Sequence, residues 1–171
     1  MEHLWSPWRS KYIATFKDPP KNEETSCFLC NAANCSDFNN DNLVVFKSSL
    51  SVILLNRYPY NSGHLLITPK RHIGKMPELT TDEIIDLSLL VKKTVTILEN
   101  LYKPHGFNIG VNLGRAAGAG VPSHIHYHVV PRWNGDTNFV TVLGDFKVIS
   151  EAIEEARAKI EIEFLNYGNK L

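Results

Sequence analysis

Residues 124–131 read His-Ile-His-Tyr-His-Val-Val-Pro, with polar and apolar side chains alternating over most of the run. Successive side chains of a strand point to opposite faces, so this period fits a strand and not a helix. His124, His126 and His128 then share one face, with successive Cα atoms roughly 6.5–7 Å apart. Ile125, Tyr127 and Val129 take the opposite face and need a covering layer. A strand of this kind requires sheet neighbours and a helix to cover it. Phe107–Leu113 also alternates and is the expected neighbour. Leu43–Phe46 and Ser51–Asn56 read as a hairpin around Lys47-Ser48-Ser49, and His64–Pro69 as a third strand entered through Pro59 to Gly63.

The covering helices follow from a 3.6-residue period. Thr80 and Glu83 have capping-box spacing, and Ile84, Leu87, Val91, Val95, Leu98 and Tyr102 recur at helical intervals before Pro104 and Gly106. A second amphipathic helix starts near Ser150, carries Ile153, Ala156, Ile160 and Phe164 on one stripe, and meets a stop at Gly168. Strands, helix, strands and helix in this order indicate an α+β domain with a mainly antiparallel sheet. The 171 residues suit one domain. Residues 1–42 form an arm and a cysteine-bearing loop, 43–140 the core, and 141–171 a helical tail. Within the first part, Thr15–Asn42 is rich in Lys, Pro, Asn, Asp and Ser and reads as mostly loop, which needs something to tie it down.

Lys plus Arg and Asp plus Glu each number 18, so there is no net charge to attract nucleic acid or a membrane surface. No apolar run approaches the roughly 20 residues of a membrane span. Met1 to Arg9 has no apolar signal core, and the chain reads as cytoplasmic. Three cysteines, Cys27, Cys30 and Cys35, argue against a disulfide framework in that compartment. Cys27-Phe-Leu-Cys30 is a metal-binding or redox pair, and two thiolates alone do not close a structural metal site.

Three imidazoles on one face admit three readings. They can be a polar surface stripe. They can be ligands of a zinc hydrolase, with two histidines and a third group around an open position. They can serve nucleophilic catalysis, because an imidazole with a pKa near about 6.5 is largely neutral at pH 7 and can attack phosphorus. Upstream, Asn112-Leu-Gly-Arg-Ala-Ala-Gly-Ala-Gly-Val-Pro-Ser123 is rich in glycine. Gly114, Gly118 and Gly120 let backbone approach a ligand closely, and free amides of such a loop can form an anion-binding nest.

The stretch from Asn112 to Trp133 resembles the signature region of the histidine-triad (HIT) superfamily, whose pattern His-φ-His-φ-His-φ-φ is met here by His124 to Val130. Leu55-Asn-Arg-Tyr-Pro59 and Gly63-His-Leu-Leu-Ile-Thr-Pro-Lys-Arg-His72-Ile73 resemble the family's strand pair. Trp5-Ser-Pro-Trp8-Arg9 and Pro131 to Phe139 are similar to the branch that includes diadenosine-polyphosphate phosphorylases and hydrolases. The resemblance implies a HIT-like sheet with a long helix packed on it. It implies His126 as the nucleophile that becomes nucleotidylated and His128 as an α-phosphate contact. Asn56 would belong to the nucleoside pocket, Asn112 would lie beside the phosphates, and Ala119, Gly120 and Val121 would contact phosphate through their backbone. Trp133, just after the triad, is expected to touch substrate. Many family members carry Gln or Ser where this chain has Gly120, so an assisting side chain is missing here.

Relatives with the cysteine pair complete a zinc site with two histidines, which here are His72 and His124. Cys27, Cys30, His72 and His124 would then hold a structural zinc. The implied reaction is nucleotidyl transfer through adenylyl-His126, with phosphorolysis of diadenosine tetraphosphate to ATP and ADP ahead of hydrolysis of dinucleoside polyphosphates or AMP esters. A slow nucleotide-binding sensor is the alternative from another class. No organic cofactor is implied. The partners implied are adenine nucleotides or dinucleoside polyphosphates and a second copy of the chain, as a homodimer or larger homo-oligomer. Exposed strand edges give that assembly a physical motive.

Overall fold

The computed structural model describes residues 27–137 and 149–168. Trp5, Trp8 and the stretch from Phe139 into the tail lie outside the described residues. Five strands form one antiparallel sheet: β1 (Val44–Lys47), β2 (Ser51–Leu55), β3 (Leu65–Pro69), β4 (Gly106–Val111) and β5 (Tyr127–Arg132). Their spatial order is β1-β2-β3-β5-β4, so β5 inserts between β3 and β4. The fold is the expected α+β arrangement.

Among the described residues, three helices cover the sheet: α1 (Phe28–Asn34), α2 (Thr81–Tyr102) and α3 (Ile153–Gly168). Ile53, Leu55, Leu65, Ile67 and Val129 turn one face towards α2 and α3, where they meet Leu87, Leu98, Ile160 and Phe164. Val52, Leu54 and Leu66 turn the other face towards Leu29, Ala32 and Ala33 of α1. Both faces of β2 and β3 are therefore buried.

The Thr80–Glu83 capping box forms in both directions: Thr80 Oγ1 accepts the Glu83 N–H, and the Glu83 carboxylate accepts the Thr80 N–H. The helix closes at Lys103, whose φ of 47° places it in the left-handed region. Of the expected stripe, Leu87 and Leu98 are buried and Val91, Val95 and Tyr102 pack against the core, whereas Ile84 is 45% exposed. Leu90, Thr94 and Ile97 widen the core-facing side beyond that reading.

Two further expectations are corrected. The cysteine-bearing segment is not all loop: α1 forms over Phe28–Asn34, with Cys27 as its N-cap. The strand carrying the histidine run also starts late. Only His128 lies in the β5 ladder, while His124 and His126 precede it. Among the described residues, no helix is long and apolar enough to cross a membrane.

Candidate active site and metal centre

The approach to β5 is held without a strand ladder. The Ile125 N–H donates to the Ile73 carbonyl at 2.7 Å, and the Thr68 hydroxyl donates to the Ile125 carbonyl at 2.7 Å. With its peptide held on both sides and its side chain buried, Ile125 sets the positions of both flanking histidines. Gly74 allows this close approach. A Cβ there would lie 2.6 Å from the Pro122 carbonyl oxygen.

His124 turns away from the other two. Its Nδ1 is 3.4 Å from both Cys27 Sγ and Cys30 Sγ, and Cys30 Sγ is 3.0 Å from His72 Nδ1. The four donor atoms all lie within 4.8 Å of one another. Zinc bonds of about 2.3 Å to sulfur and 2.0–2.1 Å to nitrogen put tetrahedral S···N edges near about 3.6 Å, so this cluster has the size of a zinc site. His124 Nε2 is 2.9 Å from the Pro69 carbonyl and donates its proton there, which leaves the Nδ1 lone pair available to bind a metal ion. Cys2His2 is a full donor set for a tetrahedral ion, and an ion held by all four would have no open position for water. Cys35 takes no part; its Sγ donates to the Ala32 carbonyl at 3.2 Å.

His126 is buried, and its Nδ1 lies 2.9 Å from the His124 carbonyl. A carbonyl only accepts, so the ring proton sits on Nδ1 and Nε2 keeps its lone pair. Burial pushes the His126 pKa below the ordinary imidazole value, against a raising effect from the same carbonyl. His128 is pushed down to about 4, first by burial and then by His126. The two rings meet edge to face with centroids 5.0 Å apart.

The glycine-rich loop folds into a single 3-10 turn, Arg115–Ala117. The Ala117, Gly118 and Ala119 amides are spent inside it, on the carbonyls of Gly114, Arg115 and Gly114. The expected nest therefore narrows: Gly118 and Ala119 offer no amide to a phosphate, while Gly120 and Val121 show no such internal bond among the described residues. The Asn112 amide braces the loop through the Gly118 carbonyl at 3.4 Å.

A cavity of about 370 Å³ opens beside His128, with Tyr60, Asn108, Asn112 and Arg132 in its wall. Trp133 is not part of it. Together with Tyr102 and Glu151, Trp133 lines a different cavity of about 390 Å³. Asn56 is tied into local structure: its Oδ1 accepts the Tyr58 N–H at 3.0 Å and its amide lies 3.3 Å from His64 Nδ1. His64 itself escaped the sequence reading, because its partner His128 lies 64 residues away and no spacing rule links them.

The HIT domain family model matches residues 37–135. An AP-4-A phosphorylase of Mycobacterium tuberculosis is 36% identical over 167 residues, which cover 96% of this chain and 85% of the relative. A bis(5'-nucleosyl)-tetraphosphatase [asymmetrical] of Schizosaccharomyces pombe is 34% identical over 54% of this chain and 50% of its own length. Among solved structures, a zinc-bound histidine triad family protein from Mycobacterium smegmatis superposes with a TM-score of 0.69 at 23% identity, covering 86% of this chain and 99% of the other. A histidine triad nucleotide-binding protein from Sulfolobus tokodaii gives a TM-score of 0.67 at 26% identity, covering 85% and 96%.

Proposed function

The chain belongs to the HIT domain family and to its enzymes, and from that premise we propose that it cleaves diadenosine tetraphosphate by phosphorolysis to ATP and ADP. The observation that carries the reading is the single-acceptor environment of His126. Its Nδ1–H is bonded to the His124 carbonyl, and burial keeps the ring neutral, so Nε2 presents a lone pair at physiological pH. The 36% identity to an AP-4-A phosphorylase along nearly the whole chain supports the choice of substrate.

Two displacements complete the cycle. Nε2 of His126 attacks the α-phosphorus, a nitrogen–phosphorus bond forms, and the bond to the β-phosphate oxygen breaks to release ATP. Inorganic phosphate then attacks the adenylyl group, the nitrogen–phosphorus bond breaks, and ADP leaves. Amides of Gly120 and Val121 and the Nε2–H of His128 hold the charged oxygens, each such donor being worth about 10²–10³ in rate. Asn112 braces the loop from beside the phosphates, and Asn56 borders the nucleoside pocket. Cys27, Cys30, His72 and His124 would hold zinc, which supplies structure by tying α1 to the approach of β5. We read the working form as a cytoplasmic homodimer, with β4 as an open sheet edge and Ile109 upon it 48% exposed.

The test is product analysis on diadenosine tetraphosphate. Equal ATP and ADP, appearing only with inorganic phosphate, is the expected result. ATP and AMP at the same rate with or without phosphate would replace phosphorolysis by hydrolysis, the reading that the tetraphosphatase relative favours. His126→Ala should bind nucleotide and not turn it over.

A further inference from the structure

The ladder between β3 and β5 stops short of the catalytic histidine. Its register pairs Leu65 with Val129, Leu66 with His128 and Ile67 with Tyr127. Continued past Tyr127, that register sets Pro69 opposite Ile125. The Lys70 N–H donates to the Leu50 carbonyl, on the β2 side, and the backbone groups of a strand alternate between its two neighbours. Position 69 therefore turns its nitrogen towards β5, and a proline nitrogen carries no proton. The Ile125 carbonyl is left without the donor that the ladder would supply. Thr68 supplies one from its side chain: the hydroxyl donates to that carbonyl at 2.7 Å. Thr68 is fully buried, and the other acceptor near its hydroxyl, the Pro69 carbonyl, is farther away at 3.4 Å. That carbonyl is engaged instead by His124 Nε2 at 2.9 Å.

We propose that Thr68 is a positioning residue for the nucleophile, its hydroxyl replacing the amide proton that Pro69 lacks and aiming His126 through the Ile125 carbonyl. The inference rests on His126 as the attacking group. The Ile125 carbonyl belongs to the peptide that enters His126. The His124 carbonyl, which holds His126 Nδ1 at 2.9 Å, belongs to the peptide before it. That earlier peptide is fixed by the Ile125 N–H, which donates to Ile73 at 2.7 Å, and the later one by the Thr68 hydroxyl. With both planes held, the Cα of His126 and the acceptor of its ring proton are placed together, so Nε2 points one way. Threonine suits the task because its branched Cβ restricts χ1 and so fixes the direction of the hydroxyl. In the first displacement the Nε2 pair forms the bond to phosphorus, and the bond to the bridging oxygen breaks with its pair leaving on ATP. The Nδ1 proton stays where the His124 carbonyl holds it. In-line attack tolerates little lateral error, so a nucleophile freed to swing loses rate and keeps its affinity for nucleotide.

Thr68→Val keeps the shape of the side chain and removes the donor, and Thr68→Ser returns the hydroxyl. The full-length, zinc-loaded proteins are mixed with excess diadenosine tetraphosphate, and rapid quenching counts the ATP released in the first turnover. Thr68→Val should slow that release by about tenfold, short of the roughly 10²-fold that a 1 Å misplacement can cost. Its AMP affinity by calorimetry and its zinc content should match wild type, and Thr68→Ser should recover most of the rate. A merely structural role would lower the melting temperature of Thr68→Val and leave its first-turnover rate at the wild-type value, and that result overturns the proposal. Proton NMR of wild type needs no variant to fold. The Thr68 hydroxyl proton should be protected from exchange with water, and a freely exchanging one overturns the proposal as well. A wild type from which no adenylyl-His126 can be trapped refutes the nucleophile reading itself. A wild type that forms adenylyl-His126 no faster than folded Thr68→Val does refutes the role of Thr68 alone.

Discussion

Replacing Gly74 by alanine tests how closely the segment after His72 must approach the turn before His124. The new Cβ would lie 2.6 Å from the Pro122 carbonyl oxygen and 3.0 Å from the Cα and carbonyl carbon of Ser123. The oxygen contact is about 0.7 Å short of the roughly 3.3 Å at which carbon and carbonyl oxygen meet. All three atoms are backbone, so the strain cannot be relieved by turning a side chain. Overpacking of this kind costs about 1–3 kcal/mol, and a rigid neighbour puts the cost in the upper half. The alanine recovers about 0.4–1 kcal/mol by restricting the unfolded chain, leaving a net loss near 2 kcal/mol. For a chain of this size that is a fall of about 4–8 °C in melting temperature. Gly106→Ala is the matched control. Nothing lies within 4 Å of its Cβ position, so only the favourable effect on the unfolded chain remains. Urea unfolding of both variants gives the difference, and metal analysis reports whether the displaced turn has carried His124 with it. A Gly74→Ala protein as stable as Gly106→Ala, with full metal content, would show that the close approach constrains nothing.

Metal analysis of untagged wild type should give about one zinc per chain, and Cys30→Ser should abolish it and lower the melting temperature. A metal-free wild type with the same melting temperature would remove zinc from the fold. Glu83 is held at about 2, first by its bond to Arg71, against an ordinary value of 4.5. A carboxyl whose folded pKa lies below its unfolded one stabilises the fold above about pH 4.5 and loses that contribution as pH falls towards 2. Glu83→Gln should therefore be less stable than wild type at pH 6, with the gap narrowing as pH falls from 4.5 towards 2; a constant gap in urea midpoint across that range would contradict the assignment. Sedimentation at micromolar concentration should show a dimer, and Ile109→Arg on the β4 edge should shift it to monomer. A dimer unmoved by that change would place the interface elsewhere.

Features decided within a few residues of one another were legible in the sequence. The capping box depends on Thr80 and Glu83 alone, and the β1–β2 hairpin on one short turn. The helix α1 was not legible. Seven residues show too little period, and its order comes from burying Leu29 and Ala32 against β2. Cys27 and Cys30 announced a metal by their spacing, whereas His72 and His124 joined them only through resemblance. His64 had no local signal, since its meaning lies in a ring 64 residues away. The free amides of the glycine-rich loop were overcounted, because composition does not reveal that a 3-10 turn consumes Ala117, Gly118 and Ala119.

The four donor atoms beside α1 come from positions 27, 30, 72 and 124, and Cys27 is 97 residues from His124. In chain-statistical terms an ion there is a cross-link around most of the domain. Closing a loop of about 100 residues by a covalent bond removes about 4.7 kcal/mol of unfolded-state freedom, and a metal clasp acts on the same entropy. His72 follows β3 and His124 precedes β5, so a metal ion there would pin together two neighbouring strands that α2 and β4 separate in the chain.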